Sequence, residues 1–299
     1  MFGIQGRSTT HPPISEDILI YFVAHCATFL HLKFMTIKVY LAGIRNHYIV
    51  GGLPNPLTTS QGQPYLRLQH VLRGIHRLQG STTRPRLPIT GDILKSLCAL
   101  LRNGVFGPYF DLLLETAFLL AFFGFLRCSE LTCNARTFNP KLNLCVGDVN
   151  FIMVAGQVDC ASVRIKTSKT DQFRRGFELR LFPTHNQSCP ASTLHQFFSV
   201  RKSMNATPND PLFLLPERTP LNRDVFTTSL RTLLARLGLQ PQLFAGHSFR
   251  IGAATTAASV HLPDHLIQTL GRWSSNCYRV YIQTPEQLLR QAFQALSIV

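Results

Sequence analysis

Gly246-His-Ser-Phe-Arg-Ile-Gly-Ala-Ala254 is the stretch on which the reading of this sequence turns. His247 and Arg250 are three apart at the expected start of a helix, so they share one face. Backbone N–H groups at a helix N-terminus favour anions. A His and an Arg beside such donors make a phosphate site. The plainer alternative is a capping His and a surface Arg.

Working outward, three further motifs carry reactive side chains. In Phe122-Phe-Gly-Phe-Leu-Arg-Cys-Ser-Glu-Leu131, Arg127 follows a long apolar helix and Glu130 lies about one helical turn on. The pair is either an ordinary ion pair or a guanidinium fork held in orientation for a phosphate. In Lys166-Thr-Ser-Lys-Thr-Asp171, Lys169 stands on a turn between two expected strands, as a solvated lysine or one that reaches into a groove. In Leu270-Gly-Arg-Trp-Ser-Ser-Asn-Cys-Tyr-Arg-Val-Tyr-Ile282 the chain's single Trp, Trp273, precedes Tyr278 and Tyr281. A lone Trp is most often core, but its indole N–H is also a donor that does not titrate.

The expected fold is mainly α with a small antiparallel sheet. From Ser15 to about Gln79 apolar residues recur at helical spacing: Ile18, Phe22 and Val23, then Ile37, Leu41 and Ile44, then Leu68, Leu72 and Ile75. Gly51, Gly52, Pro54 and Pro56 interrupt this bundle once. The proline-bearing stretch Gly80 to Pro88 reads as a linker, giving a helical domain over 1–80, a linker over 81–88 and a second domain over 89–299. In the second domain helices are expected from Ile89 to Arg102, Pro108 to Thr132, and again after Pro190. Strands are expected at Val146–Val154, Ser162–Thr167 and Phe177–Phe182.

The chain of 299 residues is 45% apolar, enough to fill real cores, and carries 30 Lys plus Arg against 15 Asp plus Glu. A net charge of +15 attracts polyanions. No Asp or Glu occurs between Asp17 and Asp92, whereas Lys33, Lys38, Arg45, Arg67, Arg73, Arg77, Arg84 and Arg86 do. Such a segment suits duplex DNA, with steep salt dependence. The eight cysteines are scattered singly, without the paired spacing of a structural zinc site, and read as reduced thiols. The four-residue interval from His261 to His265 lacks further ligands and reads as a surface pair. The first apolar stretch, broken by His25, His31 and Lys33, is unlike a secretory signal. Leu112–Leu126 is too short for a bilayer and contains Glu115, so a buried core helix is expected.

Arg127, Lys169, His247, Arg250, Trp273 and Tyr281 occur in the order of the tyrosine recombinases, the phage integrase and Cre-like family, and the chain resembles that family. Thr36-Ile-Lys-Val-Tyr-Leu-Ala-Gly-Ile-Arg45 is similar to the core-binding helical domain of such enzymes. Among relatives the sequence most resembles recombinases of DIRS, Ngaro and Crypton elements, through Gly-Phe-Leu-Arg127-x-Ser-Glu-Leu, Ser-Lys169-Thr-Asp and Gly-Arg-Trp273-Ser-Ser. The resemblance implies a core-binding domain followed by a catalytic domain. Tyr281 would attack a scissile phosphate to give a 3′-phosphotyrosyl bond, with Arg127 and Arg250 on its oxygens, Lys169 protonating the leaving oxygen, His247 assisting and Glu130 supporting. It implies neither cofactor nor metal, double-stranded DNA as partner, and several copies of the chain assembled on DNA. Lys33, Lys38, Arg45, Arg73, Arg77, Arg84 and Arg86 are the candidate DNA contacts. A nuclear location is expected if the source is eukaryotic, otherwise cytoplasm or nucleoid, with no membrane role.

In most relatives the His or Trp stands nine positions before the nucleophile, whereas Trp273 to Tyr281 is eight and Trp273 to Tyr278 is five. Tyr278 therefore stays a rival, with the following Ile282 and Gln283 favouring Tyr281. The tail from Pro285 to Val299, apolar at Leu288, Leu289, Phe293 and Leu296, either docks on a neighbour or folds back. Two other functions fit the same residues: a domesticated DNA-binding protein that no longer cuts, and a relaxing topoisomerase of the related tyrosine type.

Overall fold

The computed structural model describes residues 12–80, 86–133, 138–169, 171, 173–283, 290 and 294. The chain divides into two compact units, Met1–Arg84 and Pro85–Val299. The tail from Pro285, apart from Arg290 and Gln294, and Arg84 of the candidate DNA contacts lie outside the described residues.

Among its described residues the first unit holds three helices, α1 (Glu16–Thr28), α2 (Phe34–Val50) and α3 (Leu66–Gln79). The Ser15 hydroxyl caps α1 by accepting from the Ile18 amide at 3.3 Å. Neither α2 nor α3 has a side-chain cap of its own, and distant residues supply the bonds. Leu68 N–H donates to Glu16 Oε1 at 3.0 Å, Phe34 N–H donates to Gln79 Oε1 at 2.7 Å, and Gln79 Nε2 donates to the Leu32 carbonyl at 2.9 Å. Leu19, Val23, Cys26, Ile37, Leu41, Leu68 and Ile75 fill the core. Ile18, expected inside, is 51% exposed: the buried stripe of α1 runs one residue later, through Leu19.

The second unit is built around α5 (Pro108–Phe123), apolar on all sides and buried almost throughout from Leu113 to Phe122. Around it lie α4 (Gly91–Arg102), α6 (Cys128–Leu131), α7 (Pro190–Ser203), α8 (Arg223–Arg236), α9 (Ser248–Ser259) and α10 (Asp264–Gly271). No helix among the described residues is long and apolar enough to cross a membrane. The expected single helix from Pro108 to Thr132 is in fact two, α5 and α6. The chain breaks at Gly124, where a β-carbon would meet Leu179 at 2.6 Å and the Leu120 carbonyl at 2.7 Å, and Phe125 then turns left-handed at φ 48°.

Three strands form one antiparallel sheet in the order β1 (Val149–Val154), β2 (Gln157–Ile165), β3 (Phe177–Leu181). The second strand begins five residues before the expected Ser162, because Ala155 and Gly156, both at positive φ, close a two-residue hairpin. The segment Val146–Asp148 is a short 3₁₀ turn and not strand. The polar connection between β2 and β3 carries Lys169.

Candidate active site

The break after α5 sets the first side of the site. Arg127 is extended and caps α6, and its own amide donates to Glu130 Oε2 at 2.9 Å while its Nη1 donates to Glu130 Oε1 at 3.1 Å. The Glu130 side chain is buried, whereas that of Arg127 retains 20% exposure. The pair is thus a held guanidinium that keeps part of its surface exposed.

The second side is the start of α9. His247 is the N-cap residue and Arg250 lies one turn in, as their spacing predicts. Two glycines allow the approach that places them. A β-carbon on Gly246 would fall 2.6 Å from the Cys128 β-carbon, so this turn packs directly on the residue after Arg127. A β-carbon on Gly252 would fall 1.7 Å from the Ile89 carbonyl oxygen, and Ile89 N–H donates to the Ser248 carbonyl at 2.9 Å. Arg250 is fully buried. Its Nη1 donates to the Phe125 carbonyl and its Nη2 to the Gly271 carbonyl at 2.6 Å, while Nε has no partner among the described residues.

The third side is aromatic. Trp273 covers Arg250, with the guanidinium carbon 4.4 Å from a ring centroid, and stacks obliquely on Tyr281 at 5.3 Å. A β-carbon on Gly271 would fall 1.7 Å from Trp273 Cζ3, so the indole lies flat on that glycine. Tyr281 is half-buried, its ring centroid 5.2 Å from that of His247 and 6.0 Å from the Arg250 guanidinium carbon. The Thr255 hydroxyl donates to the Tyr281 carbonyl at 3.3 Å, and Gln283 N–H donates to the Thr255 hydroxyl oxygen at 3.1 Å.

Tyr278 and Tyr281 sit on a 3₁₀ segment, Asn276–Tyr281, and differ in environment. Tyr278 is fully buried and its hydroxyl accepts from Arg279 Nε at 3.3 Å. A hydrogen bond from Tyr278 also helps hold the Asp264 carboxyl below its usual range, with Arg279 adding to the effect.

The electrostatics are dominated by cations. Burial, then Arg250, Arg127 and Lys169, push the His247 imidazole below its usual range, toward the neutral form. Burial, with Arg127 and Arg272 adding to it, pushes Arg250 down to about 10, so it stays charged at neutral pH. Lys169 is exposed on the β2–β3 connection. Its neighbour in sequence, Lys166, is engaged elsewhere: it pairs with Asp148 at 2.5 Å and donates to the Pro140 carbonyl at 2.7 Å.

Across its length the chain is similar in structure to the XerH site-specific recombinase bound to palindromic difH substrate, with a TM-score of 0.61 over 95% of this chain and 70% of that one at 16% identity. It is also similar to the Tn1549 transposon integrase in complex with transposon right end DNA, with a TM-score of 0.56 over 98% of this chain and 89% of that one at 14% identity. The chain has the tyrosine recombinase fold. XerA recombinase matches less closely, at a TM-score of 0.51 over 96% of this chain and 85% of that one, with 14% identity. No family model and no curated protein sequence matches the chain.

Within this tyrosine recombinase fold, Arg127, Glu130, His247, Arg250, Trp273 and Tyr281 converge on one site, with Lys169 near enough to act on His247 electrostatically. Lys33, Lys38, Arg45, Arg73 and Arg77 are exposed on the first unit, and Arg86 of the second donates to the Gln242 carbonyl at 2.6 Å. The expected α-helix around the tyrosines is a 3₁₀ segment, a difference that bears on spacing because 3₁₀ residues three apart eclipse. Sequence reading missed Arg272. It stands nine positions before Tyr281, the interval the resemblance attaches to the His or Trp position. Its guanidinium pairs with Glu130 at 3.4 Å and lies 4.0 Å from the Phe177 ring centroid.

Proposed function

We propose that this chain is a DNA strand transferase that cuts and rejoins duplex DNA through a phosphotyrosine, acting as a site-specific recombinase or integrase. The observation that carries the reading is the placing of one half-buried tyrosine, Tyr281, against a neutral-leaning imidazole and a buried arginine, with Arg127 on the same site. A phosphoryl group in transfer accumulates charge on its non-bridging oxygens, and fixed guanidinium groups meet that charge without reorganising.

The Tyr281 hydroxyl oxygen attacks phosphorus and passes its proton to His247. The bond from phosphorus to the 5′ oxygen breaks, and that oxygen takes a proton from Lys169. A second 5′ hydroxyl reverses these steps and releases the tyrosine. Because one phosphodiester is exchanged for another, no nucleotide hydrolysis is required. The exposed cations of the first unit supply phosphate contacts that hold the duplex. Several protomers then assemble around two DNA sites, as exchange between two duplexes demands. The motif resemblance to DIRS, Ngaro and Crypton elements supports a role in mobile-element DNA integration, in the nucleus of a eukaryotic cell.

The test is a denaturing gel of purified protein incubated with a pool of nicked duplexes, comparing wild type with Tyr281→Phe and Tyr278→Phe. A covalent protein–DNA band lost only in Tyr281→Phe supports the reading. Loss only in Tyr278→Phe moves the nucleophile. Binding without any band favours a DNA-binding protein that does not cut, and plasmid relaxation without recombinants favours a topoisomerase.

A further inference from the structure

Arg272 ends α10 in a left-handed conformation, φ 56° and ψ 44°, where glycine would be the easier residue. What the side chain does there is specific. Its Nη1 donates to the Gly124 carbonyl at 2.8 Å, and its Nη2 donates to the Phe125 carbonyl at 3.2 Å and reaches Glu130 Oε2 at 3.4 Å. Phe125 is also the residue whose carbonyl accepts from Arg250, and Glu130 is also the carboxylate that holds Arg127. Arg272 therefore touches one group that holds Arg250 and the group that holds Arg127.

The division of the Glu130 carboxylate is the informative feature. An arginine and a carboxylate left to themselves favour two parallel N–H to O bonds, which occupy both oxygens and a full edge of the guanidinium. Here Oε1 accepts from the Arg127 side chain, while Oε2 is occupied by the Arg127 amide and by Arg272. Among the described residues Arg127 is thus oriented by one side-chain bond, to Glu130 Oε1. Among the described residues, Glu130 is the only carboxylate paired with Arg127 or Arg272. Without Arg272 its charge would fall on Arg127 alone.

We propose that Arg272 is a positioning residue for strand cleavage: by sharing Glu130 and the Phe125 carbonyl, it keeps Arg127 from closing onto Glu130 and leaves its guanidinium edge open to the scissile phosphate. The proposal rests on the recombinase reading above. It differs from plain packing of Arg272 on Phe177 in one respect, namely that the harm done by removing Arg272 runs through the Glu130 charge.

The experiment measures single-turnover covalent-complex formation and DNA affinity for wild type, Arg272→Ala, Arg272→Lys, Glu130→Gln and Arg272→Ala/Glu130→Gln, with Trp273 fluorescence checking that each is folded. Arg272→Ala is expected to cut about a hundredfold more slowly at unchanged affinity, as loss of positioning does. Arg272→Lys, a point charge that cannot bridge carbonyls and carboxylate together, is expected to cut slowly too. The double variant is expected to cut faster than Arg272→Ala, because Gln still accepts from Arg127 but no longer neutralises it. Wild-type rates in Arg272→Ala or Arg272→Lys, or a double variant no faster than Arg272→Ala, overturn the proposal. A wild type that forms no covalent complex overturns the recombinase reading itself, and this role with it.

Discussion

Gly252→Ala is the most demanding test of how the site is assembled. A methyl group there falls 1.7, 2.4 and 2.8 Å from the carbonyl oxygen, carbonyl carbon and amide nitrogen of Ile89, which is backbone and cannot swing aside. Either α9 or the Ile89 segment must retreat by about 1.7 Å to regain ordinary contact at 3.4 Å. That movement breaks the Ile89 N–H to Ser248 carbonyl bond of 2.9 Å and uncovers an isoleucine that is wholly buried. The lost bond costs about 1 kcal/mol and the partial unpacking about 2 more, so about 3 kcal/mol in all. Trp273 is the only tryptophan and lies in the second unit, so its fluorescence in urea reports that unit alone. The midpoint should fall by roughly 1–2 M relative to wild type. Gly91→Ala, whose methyl would meet the Thr256 side chain at ordinary contact, Cγ2 at 3.4 Å and Oγ1 at 3.9 Å, should leave it unchanged. Equal midpoints for the two variants would refute the account of α9 as locked against the Ile89 segment.

Three further outcomes follow from the geometry. The His247 ring, followed by NMR, should titrate below the ordinary histidine value of 6.5; because its folded value is the lower one, the unfolded chain binds more protons below pH 6.5 and stability falls there as pH drops. Lys169→Ala, which removes one of the causes, should move that titration up, and a downward move would contradict the assignment. Lys166→Ala should lower stability by breaking the Asp148 pair while sparing cleavage once the protein is folded, whereas Lys169→Ala should slow cleavage at unchanged stability; the reverse pattern would exchange their roles. Arg73→Gln and Arg77→Gln should each reduce the slope of log affinity against log salt by about 0.9 if each side chain contacts one phosphate. An unchanged slope would remove that residue from the DNA interface.

How far the sequence carried these conclusions depended on whether the information was local. His247 and Arg250 were legible because one helix turn sets their relation, and Arg127 with Glu130 for the same reason. The break between α5 and α6 was not, since Phe125 continues the apolar run of α5 and gives no local sign of a left-handed backbone. What holds that break are bonds from Arg250 and Arg272 to the Phe125 carbonyl, from residues far along the chain. The start of β2 was missed because Val154-Ala-Gly-Gln157 is a hairpin whose first turn residue is Ala and not Asn or Asp. Arg272 was not legible because it and the adjacent Trp273 offer equally plausible side chains at one place in the sequence. Only the contacts separate an indole that covers Arg250 from a guanidinium that holds Glu130.

Arg250 also raises a question of access, because a residue with no exposed surface cannot touch a phosphate without movement. One of two things must shift. Arg250 is fixed by two carbonyl groups from different segments, Phe125 and Gly271, and sits on a helix locked by Gly252. The rings above it belong to a stretch running into a six-residue 3₁₀ segment, a poorer hydrogen-bonding geometry than an α-helix. That segment is tied back at its end through the Thr255 hydroxyl, which joins the Tyr281 carbonyl and the Gln283 amide. If the chain binds DNA as proposed, the weaker side is expected to move, so the Tyr281 segment and not Arg250 should be the part that yields. Thr255→Val keeps the shape and removes both bonds, loosening the segment by about 1–2 kcal/mol. If access limits the first cut, covalent-complex formation at saturating nicked DNA should become faster in this variant. A slower reaction at undiminished DNA binding would mean instead that Thr255 holds Tyr281 in its attacking position.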